Sequence, residues 1–432
     1  MKSKVKIIFQ TKYFVFSVIC IAQLMETIAQ GSYSPIISIL MKEWSLTAAN
    51  AGLIASAYQA GYVFAVIPFG FLSDKFNARK IYAICAIETG LAGIAFAFLA
   101  HNFPSAVILR AIIGIGYGGL CVPGMKFVTQ WFAPHERGKA LGIYTCSIAI
   151  GGAVPLYVMG PTAIMLGWKL AVMVVSAFAL VGAVLVVTLA KDKPISETND
   201  NTKEVQLKSI KISTLWNVLT QKHLLLINLS YMCHMWEYIA FNNWISPFMV
   251  AVALSHGFQS DSALIYGNAI AATAILAEAP AVSFGGIISD KIGRTKTIML
   301  ALLVSACCSF IIGWLINSPL MVLIIALVLT AGFFILMDSA VFKAGITEMA
   351  EQEYIGLALS VQSFLGFGTG IISPAVFGWV LGATNPNIVG SIEFHVWGWA
   401  FLVLSIGALG GIVPSYFLRR CPESVQMAGG KR

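Results

Sequence analysis

Charge is what this sequence has least of: Asp, Glu, Lys and Arg make up 11% of its 432 residues, where a soluble domain carries about 25%. Hydrophobic residues reach 58% and mean hydropathy is +0.84, which excludes a water-soluble globule, whose apolar share is about 45–50%. No glycine-rich phosphate loop is present, so ATP is not the expected energy source. No nucleophile and base stand together, and no large polar domain interrupts the apolar runs, which argues against an intramembrane enzyme and against a receptor with its own sensory domain. The eight cysteines (Cys20, Cys85, Cys121, Cys146, Cys233, Cys307, Cys308 and Cys421) show no metal-ligand spacing. Neither a metal site, a cofactor nor a disulfide framework is expected. A cleavable leader is not expected either, because the basic start runs straight into a full-length apolar segment.

What is present is a series of apolar runs of about 20 residues from Tyr13 to Leu418, each long enough to cross a bilayer as a helix. The expected fold is all-α and integral to the membrane, with twelve transmembrane helices in two six-helix halves. Residues 1–190 hold spans one to six, at about 13–40, 49–73, 79–100, 104–132, 138–163 and 167–190. Residues 191–221 read as a polar cytosolic linker, with room for a short surface helix. Residues 222–432 hold spans seven to twelve, at about 222–253, 262–288, 296–316, 319–346, 353–382 and 395–418.

The net charge of +8 does not point to nucleic acid, because the basic residues sit in short segments between apolar runs. One set of connections holds Lys75, Arg79, Lys80, Arg137, Lys139, Lys291, Arg294 and Lys296, together with the basic residues of the termini and linker; the other set holds only Lys42 and Lys169. That asymmetry places both termini in the cytosol. The expected location is a bacterial inner membrane, with the lipid bilayer as partner and the protein a monomer.

The halves repeat each other at an offset of about 211–218 residues. Met25-Glu26-Thr27-Ile28-Ala29 followed by Ser34-Pro35 returns as Trp236-Glu237-Tyr238-Ile239-Ala240 followed by Ser246-Pro247. Gly70-Phe71-Leu72-Ser73-Asp74-Lys75 returns as Gly286-Ile287-Ile288-Ser289-Asp290-Lys291, and Lys126 returns as Lys343. A parallel repeat of six helices is a transporter architecture, with substrate held between the halves near the midplane. Glu26 and Glu237 each fall about 20 Å into their spans, where an ionisable group is costly and commonly functional.

The stretch Gly70-x-Leu72-Ser73-Asp74-Lys75-x-Asn77-Ala78-Arg79-Lys80 resembles the loop signature of the major facilitator superfamily. The second copy, with Gly293-Arg294, is closer still. Asn77 stands where the family has glycine, a replacement compatible with left-handed backbone, and Ala78 stands in place of a usual arginine. Arg110-x-x-x-Gly114-x-Gly116-x-Gly118 and Trp131-Phe132-Ala133-Pro134-His135-Glu136-Arg137-Gly138 are similar to elements of the branch carrying organic anions and other small polar metabolites. The resemblance implies that spans one, four, seven and ten line a central cavity, and that two, five, eight and eleven join the halves. It implies a proton-coupled importer of an amino acid or organic anion, with protons as the coupling ion. The alternative is a proton-driven efflux antiporter for drugs or a siderophore-like product, against which Gly160-Pro161 is followed by Thr162-Ala163 rather than a glycine pair.

On that map Glu26, Arg110, His234, Glu237 and Asp338 are the candidates for substrate binding or proton coupling. Each has a plainer reading. The two glutamates serve equally as neutral acids bracing the bundle, and His234 as a hydrogen-bond donor. Arg110 offers a planar fork for a carboxylate, or pairs with Glu26 or Glu88. Asp74, Lys75, Arg79, Lys126, Asp290, Lys291, Arg294 and Lys343 are the candidate cytosolic gate. Glu88 and Glu278 read as structural. Gly114 and Gly118, like Gly366 and Gly370, have the spacing that lets helices approach closely, and Pro35, Pro68, Pro123, Pro155, Pro247, Pro280 and Pro374 are candidate kinks.

Overall fold

Each apolar run closes its backbone hydrogen bonds as helix, the form a chain takes where lipid offers no partner. The computed structural model describes residues 12–132, 134–191, 219–351 and 354–431, and describes no side chain for Asp74, Pro134, His135, Arg137, Gly138 or Lys139. Most of the linker expected at 191–221 lies outside the described residues, as do Lys2, Lys4 and Lys6.

Twelve described helices are long and apolar enough to cross a membrane. Spans one to six are Lys12–Glu43, Ala48–Ser73, Ala78–Leu99, Phe103–Trp131, Ala140–Leu166 and Trp168–Thr188; spans seven to twelve are Lys222–Ser255, Ser260–Ile292, Arg294–Trp314, Met321–Met349, Ile355–Thr384 and Gly398–Arg419. They agree with the sequence-based boundaries to within a few residues. The model contains no strand among the described residues.

Local chemistry fixes the ends. Thr47 accepts from the Asn50 amide at 3.2 Å to start span two, and Asn102 with Ser105 forms a capping box at the start of span four. The two loop signatures turn differently. Gly293 takes a left-handed φ of 104°, whereas Asn77 sits at φ −60° and accepts from the Lys80 amide at 3.1 Å. Asn77 is therefore a helix cap rather than a substitute for left-handed glycine.

Five spans are broken. Span one stops at Gln30 and resumes through a short 3₁₀ turn, Ser34–Ile36. Span eight breaks at Ala277, span ten at Asp338, span eleven between Gly370 and Ile372, and span twelve at Gly411. Pro35 and Pro374 stand at the start of the resumed segments, where a missing amide costs nothing. Pro68, Pro123, Pro155 and Pro247 lie inside continuous helices instead.

Within the first half, spans two and four meet backbone to backbone. A Cβ on Gly114 would lie 2.0 Å from the Tyr58 carbonyl oxygen, so only glycine permits this approach. Between the halves, span two packs on eleven and span five on eight, the four spans that the family resemblance implies join them. A Cβ on Gly52 would lie 2.3 Å from the Pro374 carbonyl oxygen, and one on Gly378 the same distance from that of Ala48.

Candidate functional site

The two repeated glutamates are buried, and both turn into their own half. Glu26 is fully buried, neither carboxyl oxygen has a hydrogen-bond partner, and Gly182 of span six leaves the room beside it. Glu237 accepts from the hydroxyls of Ser305 and Ser309, both at 2.7 Å and both on span nine. Both lie near the middle of their spans and point toward the outer helices of each half rather than the seam between halves.

Below Glu26, Gln23 accepts hydrogen bonds from the hydroxyls of Tyr82 and Tyr144, and Thr27 lies 3.3 Å from the Tyr117 hydroxyl. This polar core ties spans one, three, four and five together, and only scattered tyrosines mark it in the sequence.

His234 and Asp338 come together across spans seven and ten. His234 Nδ1 is 2.9 Å from Asp338 Oδ1, and both side chains are essentially fully buried. The imidazole lies between Tyr231 and Tyr238, at 5.6 and 6.1 Å between ring centroids and with interplanar angles of 21° and 3°. Asp338 is the residue at which span ten breaks, so the pair stands at an interruption of the helix where backbone can move. His234 Nε2 has no partner.

Arg110 does not pair with Glu26 or Glu88. Its guanidinium carbon lies 5.1 Å from the ring centre of Tyr33 and 4.7 Å from that of Tyr58, an arrangement that holds a planar cation between aromatic faces. It is 3% exposed, and neither Nε nor Nη1 has a hydrogen-bond acceptor. A buried, flat cation with unused donors is chemically suited to an anion. Tyr58 leads on to Tyr117 at 6.2 Å, and Tyr62 reaches Phe367 of the second half at 5.0 Å, so this aromatic wall runs up to the seam.

Glu278, read as structural from the sequence, is the first residue after the break in span eight. It is 1% exposed, with Oε1 lacking any partner. An apolar groove of about 710 Å³ between spans seven and twelve, lined by Leu229, Trp236 and Val413, contains none of these polar groups.

The gate candidates divide. Arg294 binds Asp290 at 2.6 Å and Glu348 at 2.7 Å and donates to Ser289 at 2.5 Å, and Lys431 donates to the Asp290 carbonyl oxygen at 2.7 Å. Glu348, unnoticed in the sequence, is thus a central member of the second-half cluster. In the first half Arg79 donates to the Ala190 carbonyl oxygen and Lys126 to that of Ser73. Lys75, Lys291 and Lys343 are exposed, and the Asp74 side chain lies outside the described residues.

At the opposite end the halves are closed. Ser34 donates to the carbonyl oxygens of Asn242 and Asn243 at 3.2 and 2.9 Å, Ser246 to that of Ser34 at 3.4 Å, and Asn268 to that of Pro35 at 3.1 Å.

A family model described as Major Facilitator Superfamily matches residues 19–337 and 235–431. The probable sulfoacetate transporter SauU of Cupriavidus necator is 26% identical over 429 residues, covering 95% of each chain. The hexuronate transporter of Bacillus subtilis is 26% identical over 361 residues, covering 80% of this chain and 82% of that one. Among solved structures, a bacterial homologue of the human lysosomal transporter Spinster, inward-facing and occupied, superposes with a TM-score of 0.74 at 16% identity, covering 94% of this chain and 97% of that one.

Proposed function

We propose, since the chain belongs to the Major Facilitator Superfamily, that this multi-pass membrane transporter imports a small organic anion across the bacterial inner membrane by alternating access, driven by protons. The observation that carries the reading is Arg110, a buried guanidinium with two unused donors held between Tyr33 and Tyr58. A carboxylate or sulfonate supplies the acceptors this fork lacks and offsets the cost of a buried cation. The names of the two relatives, a sulfoacetate and a hexuronate transporter, support an acid in preference to an amino acid.

Coupling falls to the His234–Asp338 pair, a proton-exchanging unit placed where span ten is interrupted, with Glu26 and Glu237 as further acids at similar depth. Transport then requires the Ser34–Ser246 closure to open at one end while the region of Lys75, Lys126, Lys343 and the Arg294 cluster closes at the other. The expectation of cytosolic termini makes the first end external.

The test is uptake of labelled carboxylates, sulfonates and amino acids into proteoliposomes across an inward proton gradient, with an uncoupler control. Uncoupler-sensitive accumulation of an acid is expected. Proton-driven expulsion of dyes, with no accumulation of any acid, would replace this reading by export.

A further inference from the structure

Spans seven and ten meet in three rungs. On span seven, Ile227, Tyr231 and His234 recur at helical spacing on one face, and from the break in span ten onward Asp338, Phe342 and Gly345 do the same. The first rung is His234 with Asp338, 2.9 Å apart. The second is Phe342, whose ring centre lies 5.4 Å from those of both Tyr231 and His234. At the third, Gly345 leaves a notch, in which a Cβ would lie 2.9 Å from Ile227 Cδ1 and 3.3 Å from Met427 Sδ. Met427 is thus a wedge at the foot of the ladder, although it belongs to the tail that follows span twelve. It is fully buried, in the apolar cluster that holds Leu224, Ile346 and Met349.

The tail is seated by its own backbone. It leaves span twelve as a 3₁₀ stretch, Pro422–Gly430, interrupted by extended backbone at Met427 and by left-handed backbone at Ala428, Gly429 and Gly430, with φ of 48°, 62° and 94°. A non-glycine residue at positive φ is uncommon and persists where its surroundings fix it. Here the turn aims the Ala428 amide at Glu348 Oε2, 3.1 Å away and one helical turn beyond Gly345. The same carboxylate accepts from Arg294. Lys431 donates to the Asp290 carbonyl oxygen at 2.7 Å, and Glu423 stands 4.0 Å from His223 Nδ1 at the start of span seven. At the break itself the Met337 carbonyl oxygen lies against Gly285 of span eight, where a Cβ would come within 1.7 Å. The segment Ser339–Met349 is therefore held at both ends, by span eight at the break and by the tail at the foot.

We infer that Met427, seated by the bond from the Ala428 amide to Glu348, is a positioning residue for the His234–Asp338 pair: it sets the separation of spans seven and ten at the Arg294 end and, through Phe342, holds Asp338 against His234. This rests on the coupling role proposed for the pair. Without the wedge, Ser339–Met349 swings about the break at Asp338 and parts the acid from the imidazole, two helical turns from the site of the change, with neither group altered.

Two pairs of variants test it in the full chain, reconstituted in proteoliposomes. Ala428→Pro removes the amide donor and cannot take a positive φ, whereas Ala428→Gly keeps both. Met427→Gln puts an amide into the apolar notch, whereas Met427→Leu conserves its volume and polarity. In Ala428→Pro and Met427→Gln, accumulation of an acid on a proton gradient is expected to fall about tenfold, the effect of losing one hydrogen bond to a charged group, while counterflow exchange stays within about twofold of wild type. Amide hydrogen exchange across Ser339–Met349, read by mass spectrometry, is expected to quicken about tenfold. Ala428→Gly and Met427→Leu are expected to match wild type in all three measurements. Unchanged accumulation in Ala428→Pro and Met427→Gln overturns the positioning role. So does the loss of accumulation and counterflow together with a lowered thermal midpoint, which leaves the tail a structural brace. Failure of the underlying reading looks different: wild type accumulates no acid, or Asp338→Asn accumulates it as well as wild type does. The wedge then stands or falls on the exchange of Ser339–Met349, and unchanged rates in Ala428→Pro and Met427→Gln overturn it.

Discussion

Ser246 donates to the carbonyl oxygen of Ser34, while Ser34 donates to the carbonyl oxygens of Asn242 and Asn243, so the two Ser-Pro elements of the repeat clasp each other across the seam. Each such neutral bond contributes about 0.5–1.5 kcal/mol. The double variant Ser34→Ala with Ser246→Ala is therefore expected to shift the balance toward the form open at this end by about tenfold or more. Spin labels on Lys42 and Asn387, both exposed, report it as a gain in the longer-distance population. An unchanged distance distribution would show that helix packing alone holds this end shut.

Arg110→Lys keeps the charge but loses the planar fork. Uptake of the anion is expected to fall at least about tenfold, the loss of one charge-assisted hydrogen bond of about 1.5–3 kcal/mol. Expression and thermal midpoint stay close to wild type. Uptake kinetics measured alongside a melting curve separate a binding defect from a folding one.

Asp338→Asn retains the shape of the side chain at the break in span ten and removes its acid. Gradient-driven accumulation is expected to vanish while exchange of internal for external substrate continues, as measured by counterflow. Glu26→Gln, made in parallel, asks whether the acid without hydrogen-bond partners shares this role. Accumulation that survives in Asp338→Asn and is lost in Glu26→Gln would move coupling to the first half.

Ser305→Ala with Ser309→Ala strips both donors from Glu237. A buried carboxyl group left unsatisfied costs about 1–3 kcal/mol or more, so the thermal midpoint of the purified protein is expected to drop clearly. Glu237→Met in that background, an apolar side chain of similar length, is expected to recover part of the loss, because it removes the unsatisfied group.

The twelve spans and the six-and-six repeat were legible in the sequence, since apolar length and repeated motifs specify them, and the family resemblance implied that spans two, five, eight and eleven join the halves. The direction of Glu26 and Glu237 was not. In a soluble helix, polar and apolar faces reveal rotation, but here lipid and core are both apolar and the pattern carries no such signal. Depth could be counted; rotation could not. The break at Asp338 was hidden for a related reason: the run from Met321 to Met337 that leads to it is apolar apart from Thr330, and the interruption coincides with a partner, His234, more than 100 positions away. Glu348 was passed over because it lies at the polar end of span ten. Its partner, Arg294, becomes visible only in three dimensions.

The clasp at the Ser34 and Ser246 end is built from hydroxyls, an amide and carbonyl oxygens, all uncharged, whereas the Arg294 cluster at the other end is held by paired charges. Ionic strength therefore acts on the two ends unequally. Salt screens the charged cluster and leaves the neutral clasp as it was, so the contact between the halves keeps its strength over a range of salt concentrations at which the Arg294 cluster loosens.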